Sequence, residues 1–510
     1  MEKNIIIKNK ISLHQDYIHQ LRQAYLEDYA DAYEKMIQFC EKIKENGGKA
    51  YLVGGAVRDM LFGTVAKDFD LEIYNLDNNK IKEIASEFGK VSEVGKSFGV
   101  LKLTFPTGVD IDISLPRKES KTGPGHKGFE VEFDPNLSIK DSARRRDFTI
   151  NSMLADPLTG EIEDPFGGLE DLEFRILRIV DKDTFKEDPL RVLRALQFIS
   201  RFDLGLDPES EKIIKEMIPF LKELPAERIF EEWKKLLLKS EHPSWGLFVG
   251  MESGILSELH PELTDLVKTP QDLEWHPEGN VWQHTLVSLD EAAKIIRREK
   301  LSEKDALPIM LAVLCHDLGK PVTTEFLEGR IRSRGHEEAG AGPTKSFLRS
   351  LRCDNETQDK VIKLVMNHLA PTHLYNAEKI KEQKVGDGAI RRLARRIAPA
   401  NILELVYVSE ADQMGSGLPP SADKEILKKH EAGEWLLERA REIEVERKGP
   451  ENLIEGKDLI ELGFEPGPEF GVVIDLANEL RDEKGFSKED FFELAKEKSI
   501  DEIIKSLEKY

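Results

Sequence analysis

Residues 51–74 read YLVGGAVRDMLFGTVAKDFDLEIY. Tyr51, Leu52 and Val53 make a short apolar run of the kind that forms a buried strand, and Gly54 and Gly55 end it. Glycines between a strand and a helix let backbone N–H groups approach phosphate oxygens, and the helix N-terminus adds a favourable dipole. Arg58, in the first turn of that helix, reaches the same space. "KDFDLEIY" then reads as a second strand. Alternate residues of a strand share a face, so Asp68 and Asp70 project together. Carboxylates that close repel each other unless a cation lies between them. Mg²⁺, which takes oxygen ligands and accompanies phosphates, suits the pair. Farther along, "GVDIDISL" offers a third carboxylate from a neighbouring strand, with Asp110 and Asp112 alternating on one face. Such a trio can hold metal ions that activate a 3′-hydroxyl and stabilise a departing pyrophosphate.

Outward from this stretch, a chain of 510 residues is too long for one ordinary core. Residues 1–47 read as a helical N-terminal extension. Residues 48–165 alternate short β-like runs ("KAYLVGG", "DLEIY", "GVLKLTF", "VDIDISL") with helical stretches, as a small mixed-sheet head does. Residues 166–275 turn helical, with apolar residues three and four apart ("LRVLRALQFISRF", "RIFEEWKKLLL"). A second helical block fills 276–415 after the break "KTPQDLEWHPEGN", and a helical tail fills 416–510 after "GSGLPPSAD". The expected fold class is α+β, a small mixed sheet followed by all-helical parts.

Net charge is −22, which as an average speaks against a nucleic-acid binder, since phosphate contacts need Lys and Arg. Basic clusters nevertheless occur at "SARRRD", "RKESK" and "AIRRLARRIA" and allow a local basic groove. No apolar run approaches the roughly 20 residues of a membrane span, and the N-terminus lacks a signal-peptide pattern. Cys40, Cys315 and Cys353 are scattered with no metal or redox spacing. A reduced, cytoplasmic protein with no membrane association is the expectation.

"LVGGAVRDMLFGTVAKDFDLEI" resembles the signature of class II tRNA nucleotidyltransferases, the CCA-adding enzymes and their poly(A) polymerase relatives. "RRDFTINSMLADP" from Arg145, "EDPLRVLRALQF" from Glu187 and "ERIFEEWKKLL" from Glu227 are similar to the later motifs of that family, in the same order. The resemblance implies that Asp68 and Asp70 bind catalytic Mg²⁺ and that Asp112 is the third carboxylate. It implies phosphate contacts from Gly55 and Arg58 and binding of the incoming nucleotide by Arg146. Asp188 and Arg191 would read the Watson–Crick edge of CTP or ATP. An Asp accepts from an exocyclic amine, and an Arg donates to a ring nitrogen or carbonyl. Arg194, a turn farther on, would add a nucleotide contact. Gln197 stands where the family commonly has Arg and is left out of the site. The polar stretch 117–133 resembles the flexible loop with which these enzymes switch from C to A addition.

The second block carries His284, the adjacent pair His316 and Asp317, then His336, His368 and Asp412. Imidazoles and carboxylates without thiolates suit one or two divalent transition metals, with Asp as a bridge and water activated against a phosphoester. The pattern resembles the HD phosphohydrolase superfamily, whose domain follows the polymerase head in some bacterial CCA-adding enzymes and there acts as phosphatase or 2′,3′-cyclic phosphodiesterase. Ni²⁺, Mn²⁺ or Mg²⁺ would fill this site. The expectation is thus a template-independent enzyme that builds or repairs the 3′-CCA end of tRNA from CTP and ATP, with HD phosphohydrolase activity. An A-adding enzyme or poly(A) polymerase is the first alternative. An HD hydrolase with an inactive head and a non-catalytic RNA-binding module are alternatives of other classes. Oligomeric state is not legible.

Overall fold

Helix α1 (Ala30–Glu45) turns Tyr33, Met36, Phe39, Cys40 and Ile43 inward at helical spacing and leads into strand β1 (Lys49–Val53). In this computed structural model, residues 30–63, 69–94, 100–121, 129–416 and 430–510 are described. Asp68, the N-terminal part of the extension, the middle of the 117–133 stretch and most of "GSGLPPSAD" lie outside them. The fold is α+β, as the sequence pattern predicts, and divides into two compact units. One holds the chain to Leu224 together with Ser253–Ile255; the other holds Pro225–Glu252 and Leu256–Tyr510.

The first unit is built on a seven-stranded mixed sheet. After helix α2 (Gly55–Leu61) come strand β2 (Phe69–Tyr74), helix α3 (Asn78–Ser86), and strands β3 (Lys90–Val94), β4 (Val100–Thr104) and β5 (Asp110–Ser114). The strands β6 (Arg117–Lys121) and β7 (Phe129–Phe133) pair with each other as a separate antiparallel ribbon. The polar stretch expected as a loop is therefore a hairpin at its flanks. "FEVEF" has the period-two alternation of a strand, which outweighs the polar composition around it. The two-residue strands β8 (Leu154–Ala155) and β9 (Ile162–Glu163) complete the main sheet in the order β3-β4-β5-β2-β1-β8-β9. All its pairings are antiparallel except β2 with β5. Leu71, Ile73, Leu103 and Ile111 are buried on one face and leave the intervening acids on the other. Helix α4 (Ile139–Arg144) precedes the "RRDFTIN" stretch, and helix α5 (Leu190–Phe202) carries the arginines of "EDPLRVLRALQF".

The second unit is helical. The capping box of Asn280 and Gln283 starts helix α6 (Val281–Arg298). Helix α7 (Glu303–Cys315) is buried on every side from Ile309 to Cys315, as the central helix of a bundle must be, and it delivers His316 and Asp317 into the interior. Helices α8 (Asn355–Val365) and α10 (Ile402–Gly415) pack against it, as does α6, and α9 (Asp387–Ile397) packs on α8 and α10. The tail has its own core of Ile454, Leu459, Phe470, Val473, Phe491, Ile503 and Leu507. It docks through helix α11 (Glu469–Lys484) on α9.

The basic face of α9 does structural work there. Arg392 Nη1 donates to the Asp482 carbonyl (3.2 Å), Arg395 pairs with the Asp482 carboxylate, and Arg396 Nε donates to Asn367 Oδ1 (2.7 Å). The three cysteines are buried, unbridged thiols. Among the described residues no helix is long and apolar enough to cross a membrane.

The α9–α11 crossing depends on Gly388, where a Cβ would lie 1.6 Å from the Asp482 carbonyl oxygen. Gly388→Ala should therefore push the tail off α9 at a cost of about 1–3 kcal/mol, the range for overpacking a close contact. Limited proteolysis should then cut faster within residues 450–510. An unchanged cleavage rate would show that the tail is held elsewhere.

Candidate functional site

The register of the one parallel pair builds the head site. Asp70 on β2 lies directly opposite Asp112 on β5, so the two carboxylates stand side by side on one face. Asp112 Oδ1 is itself buried yet accepts no hydrogen bond; Lys102 Nζ lies 3.8 Å away. A buried acceptor without a donor beside a second carboxylate is what an oxygen-ligated divalent ion satisfies. Asp110, the other candidate, is engaged instead with Thr104 Oγ1 (2.7 Å) and Lys102 Nζ (3.2 Å), which hold its carboxyl below the usual range. Lys102 sits opposite Asp112 across β4 and was not singled out by motif reading, although "GVLKLTF" places it on the same alternating face. Asp68 falls outside the described residues.

Two residues past Asp70, on the same face, Glu72 is 1% exposed. Its carboxylate accepts from Tyr74 Oη, from Ser142 Oγ (2.7 Å) and from Arg145 Nη2 (3.1 Å), with Arg146 Nη2 at 3.7 Å. Burial pushes its pKa up, but Arg146, Arg145 and the two hydroxyls outweigh burial and hold it below the ordinary value. This carboxylate draws Arg146 to the glycine turn. Gly54 has φ +67°, and a Cβ there would lie 2.9 Å from Arg146 Nη1. The glycine thus serves both the turn and the close approach of a guanidinium.

The remaining predicted residues form a lattice with Asp147 at its centre. Asp147 Oδ2 accepts from Arg194 Nε (2.7 Å) and Nη2 (2.6 Å), and Oδ1 accepts from Asn151 Nδ2 (2.9 Å). Arg191 donates to the carbonyls of Thr184 (2.8 Å) and Arg145 (2.7 Å). Asp188 Oδ1 accepts from the Leu190 N–H (3.1 Å) at the start of α5 and remains half-buried. Arg58 is 4% exposed. It donates to Asn151 and Asp59, and its guanidinium carbon lies 4.5 Å from the Phe202 ring centre. The structure thus places Arg58 within the lattice rather than in open space. Gln197 is buried, and its Nε2 finds no partner.

In the second unit the structure brings together all six predicted histidines and aspartates. His284 Nε2 lies 2.9 Å from Asp412 Oδ1 and 3.2 Å from His316 Nε2. His336 Nε2 and His368 Nε2 are 3.3 Å apart. Asp317 stands between the two groups. Its Oδ2 is 3.3 Å from His316 Nε2 and its Oδ1 is 3.5 Å from His336 Nε2. Asp317 therefore belongs to two ligand groups at once, His284–His316–Asp317 and Asp317–His336–His368.

Asp317 is 1% exposed, and neither of its oxygens accepts a hydrogen bond; Lys320 Nζ is 2.7 Å from Oδ2 but not aligned to donate. The Nδ1 atoms of His316, His336 and His368 each face the carbonyl three residues earlier, at 2.7 Å, which turns each Nε2 toward the centre. Burial lowers His316, but Asp317 and Asp412 outweigh it and push its pKa up to about 10. Burial alone dominates at His368 and pulls it down to about 3. The carboxylates of Asp317 and Asp412 thus face the Lys320 ammonium and the imidazole Nε2 atoms.

Residues 50–178 match the family described as the poly A polymerase head domain, 203–266 the probable RNA and SrmB-binding site of polymerase A, and 281–414 the HD domain. The fold and the paired carboxylate strands define a nucleotidyltransferase head joined to an HD domain. The multifunctional CCA protein of Xanthomonas campestris pv. campestris (strain B100) is 34% identical over 372 residues, 72% of this chain and 85% of that protein. That of Stenotrophomonas maltophilia (strain K279a) is 34% identical over 420 residues, 79% of this chain and 95% of that protein. The chain belongs to the family of multifunctional CCA proteins. In fold it is similar to the Bacillus stearothermophilus CCA-adding enzyme in complex with CTP, with a TM-score of 0.61 at 23% identity over 94% of this chain and 98% of that one. It is also similar to the Thermotoga maritima CCA-adding enzyme complexed with tRNA, with a TM-score of 0.54 at 18% identity over 96% and 97%.

Glu72→Gln should destabilise the head by about 3–5 kcal/mol, because it leaves two guanidinium groups beside a neutral amide. Glu72 has a depressed folded-state pKa, so its stabilisation is complete above the unfolded value of about 4.3 and is lost as pH falls through the folded value. The gap in unfolding midpoint between the unaltered chain and the variant should therefore narrow on acidification below about pH 4. A gap that stays constant from neutral to acid pH would refute this role.

Proposed function

We propose that this chain is a template-independent tRNA nucleotidyltransferase that adds or repairs the 3′-terminal CCA from CTP and ATP, and that its HD unit is a phosphohydrolase. The observation that carries the first part is the register of Asp70 against Asp112 with the unsatisfied Asp112 Oδ1. Asp70 and Asp112, with Asp68, would hold Mg²⁺. When bound, Mg²⁺ favours ionisation of the tRNA 3′-hydroxyl and offsets charge on the triphosphate.

The chain's own residues do the rest. The turn at Gly54 and Gly55 presents backbone N–H groups to the phosphates. Arg146, held by Glu72 beside that turn, neutralises the same phosphates. Arg58 fixes the turn from beneath through Asn151 and the rings of Phe198 and Phe202. Asp188 accepts from the exocyclic amine shared by cytosine and adenine, and Arg191 donates a remaining N–H to the ring edge. Arg194 is oriented by Asp147 toward the nucleotide. The tRNA 3′-oxygen attacks the α-phosphorus, a new P–O bond forms, and the bond to pyrophosphate breaks.

In the HD unit, Asp317 would bridge two divalent ions, His284, His316 and Asp412 holding one and His336 and His368 the other. Ni²⁺ or Mn²⁺ suits these imidazole-rich sets, with Mg²⁺ as the oxygen-seeking alternative. Such ions lower the pKa of an attacking water and polarise a phosphoester. Terminal phosphates and 2′,3′-cyclic phosphates are the proposed substrates.

The chain with Mg²⁺ and a tRNA transcript lacking CCA should add two nucleotides from CTP alone and a third only when ATP is present, and none from UTP or GTP. Asp112→Asn should slow addition by about a thousandfold, the effect of losing several kcal/mol of metal-assisted stabilisation. Addition of A alone to tRNA ending in CC would instead mark an A-adding enzyme, and a long A ladder a poly(A) polymerase. Asp317→Asn should abolish hydrolysis of 2′,3′-cyclic phosphates with Ni²⁺, Mn²⁺ or Mg²⁺ and leave nucleotide addition intact. Hydrolysis that survives Asp317→Asn would remove the HD centre from consideration.

A further inference from the structure

Three of the HD histidines fix their Nδ1 on their own backbone, and one does not. His284 lies inside α6, where the carbonyl of Asn280 already accepts the His284 N–H (3.1 Å). Its Nδ1 is met from outside the helix by Glu278 Oε1 at 2.9 Å. The same oxygen lies 2.8 Å from His276 Nδ1, and the two rings stand edge-on with centres 4.8 Å apart. His276, Glu278 and His284 satisfy the donor count for a metal site of their own. The geometry assigns them another part. His284 Nε2 is already turned to Asp412 and His316. A neutral imidazole whose Nε2 lone pair faces a metal carries its proton on Nδ1 and can only donate there. Glu278 is then an acceptor rather than a ligand, and His276 donates to it from the other side.

The loop that holds Glu278 is built to stay put. Gly279 has φ +127°, and a Cβ there would lie 1.8 Å from Gln283 Oε1, the atom that accepts from the Asn280 N–H. Asn280 Nδ2 also donates to the Val267 carbonyl (2.9 Å). The glycine and the capping box thus tie the loop to the first turn of α6, one turn from His284.

We propose that Glu278, steadied by His276, is a positioning residue that fixes the His284 ring and strengthens metal binding in the His284–His316 half of the HD centre over the His336–His368 half. The proposal rests on the reading of the six-residue cluster as a metal centre. The other histidines lean on neutral carbonyls, whereas His284 leans on a carboxylate, which raises the basicity of the ligating nitrogen. The two halves should therefore bind unequally.

The test is calorimetric titration of the metal-stripped full chain with Ni²⁺, with Mg²⁺ in excess to fill the head carboxylates. The unaltered chain should take up two ions with distinct affinities. Glu278→Ala should weaken one of them by about 10- to 100-fold, as loss of such a partner does, and leave the other in place. Glu278→Gln, which keeps the shape and an acceptor oxygen, should fall between, and His276→Phe should give a smaller loss. Nucleotide addition by the head should be unchanged in all three, which shows that the chain is folded. Two Ni²⁺ affinities that survive both Glu278 substitutions would overturn the inference while leaving the metal centre intact. A chain that binds no Ni²⁺ before any substitution would overturn the metal reading and this inference with it.

Discussion

Glu72 is a carboxylate almost without access to water, on the strand that also carries Asp70. Taking such a charge out of water costs several kcal/mol unless cations and donors surround it. Here they come from α4 and the residues after it: Ser142, Arg145 and Arg146. The burial cost of Glu72 therefore fixes where the "RRDFTIN" segment lies against the sheet. Arg146 is brought beside Gly54, and Asp147 and Asn151 are presented to α5 and α2. Most of the other predicted head residues are oriented by partners in this chain of contacts. The head site is less a set of separate motifs than one electrostatic lattice whose first member is an acid.

In the proposed function that lattice is also how a chain with a net charge of −22 would serve a polyanionic substrate. The useful cations are concentrated and held. Arg194 is locked by Asp147 and Arg191 by two carbonyls, whereas the buried Arg58, held by Asn151, Asp59 and two phenylalanine rings, supports the turn rather than facing substrate. Fixed guanidinium groups present charge and planar donors at defined positions without ordering long side chains at the moment of binding. Free surface lysines would supply charge but no such preorganisation. Not every basic cluster serves this purpose. In α9, Arg392 and Arg395 are engaged by Asp482, so the run "RRLARR" acts in docking the tail.

Much of this was legible in the chain because period-two alternation, glycine after an apolar run, and clustered histidines each have one dominant physical cause. The alternation in "DLEIY" and "VDIDISL" specifies strands, and the histidine spacing specifies a shared interior. What alternation cannot supply is pairing. Asp110 and Asp112 are equivalent in sequence, and only the parallel register with β2 puts Asp112 opposite Asp70. Glu72 was visible as the next residue on the acid face, but its burial depends on arginines some seventy positions away. Glu278 had no signal at all. It lies in a Pro/Gly break that reads as a boundary, and its value comes from a loop conformation that Gly279 alone permits. Hairpin β6–β7 shows the reverse failure, where composition suggested a loop and alternation in "FEVEF" decided for strands.

The two carboxylate-bearing centres solve opposite problems with the same chemistry. On the sheet, Asp70 is exposed and Asp112 half-buried, so both carboxylates keep part of their hydration. In the proposed reaction an ion there would come and go with the nucleotide phosphates that complete its shell, as Mg²⁺ does. In the helical unit, Asp317 is 1% exposed and unpartnered by hydrogen bonds, and the four imidazoles grouped with it converge from four separate stretches of chain. That desolvation was incurred on folding; the Lys320 ammonium, 2.7 Å away, offsets part of it, and bound cations would offset the rest. Such a site favours a metal that binds tightly to nitrogen and stays, and it rewards each fixed acceptor behind a ligand. In the proposed function, the difference in burial between Asp70 and Asp317 would separate a substrate-borne metal from a resident one.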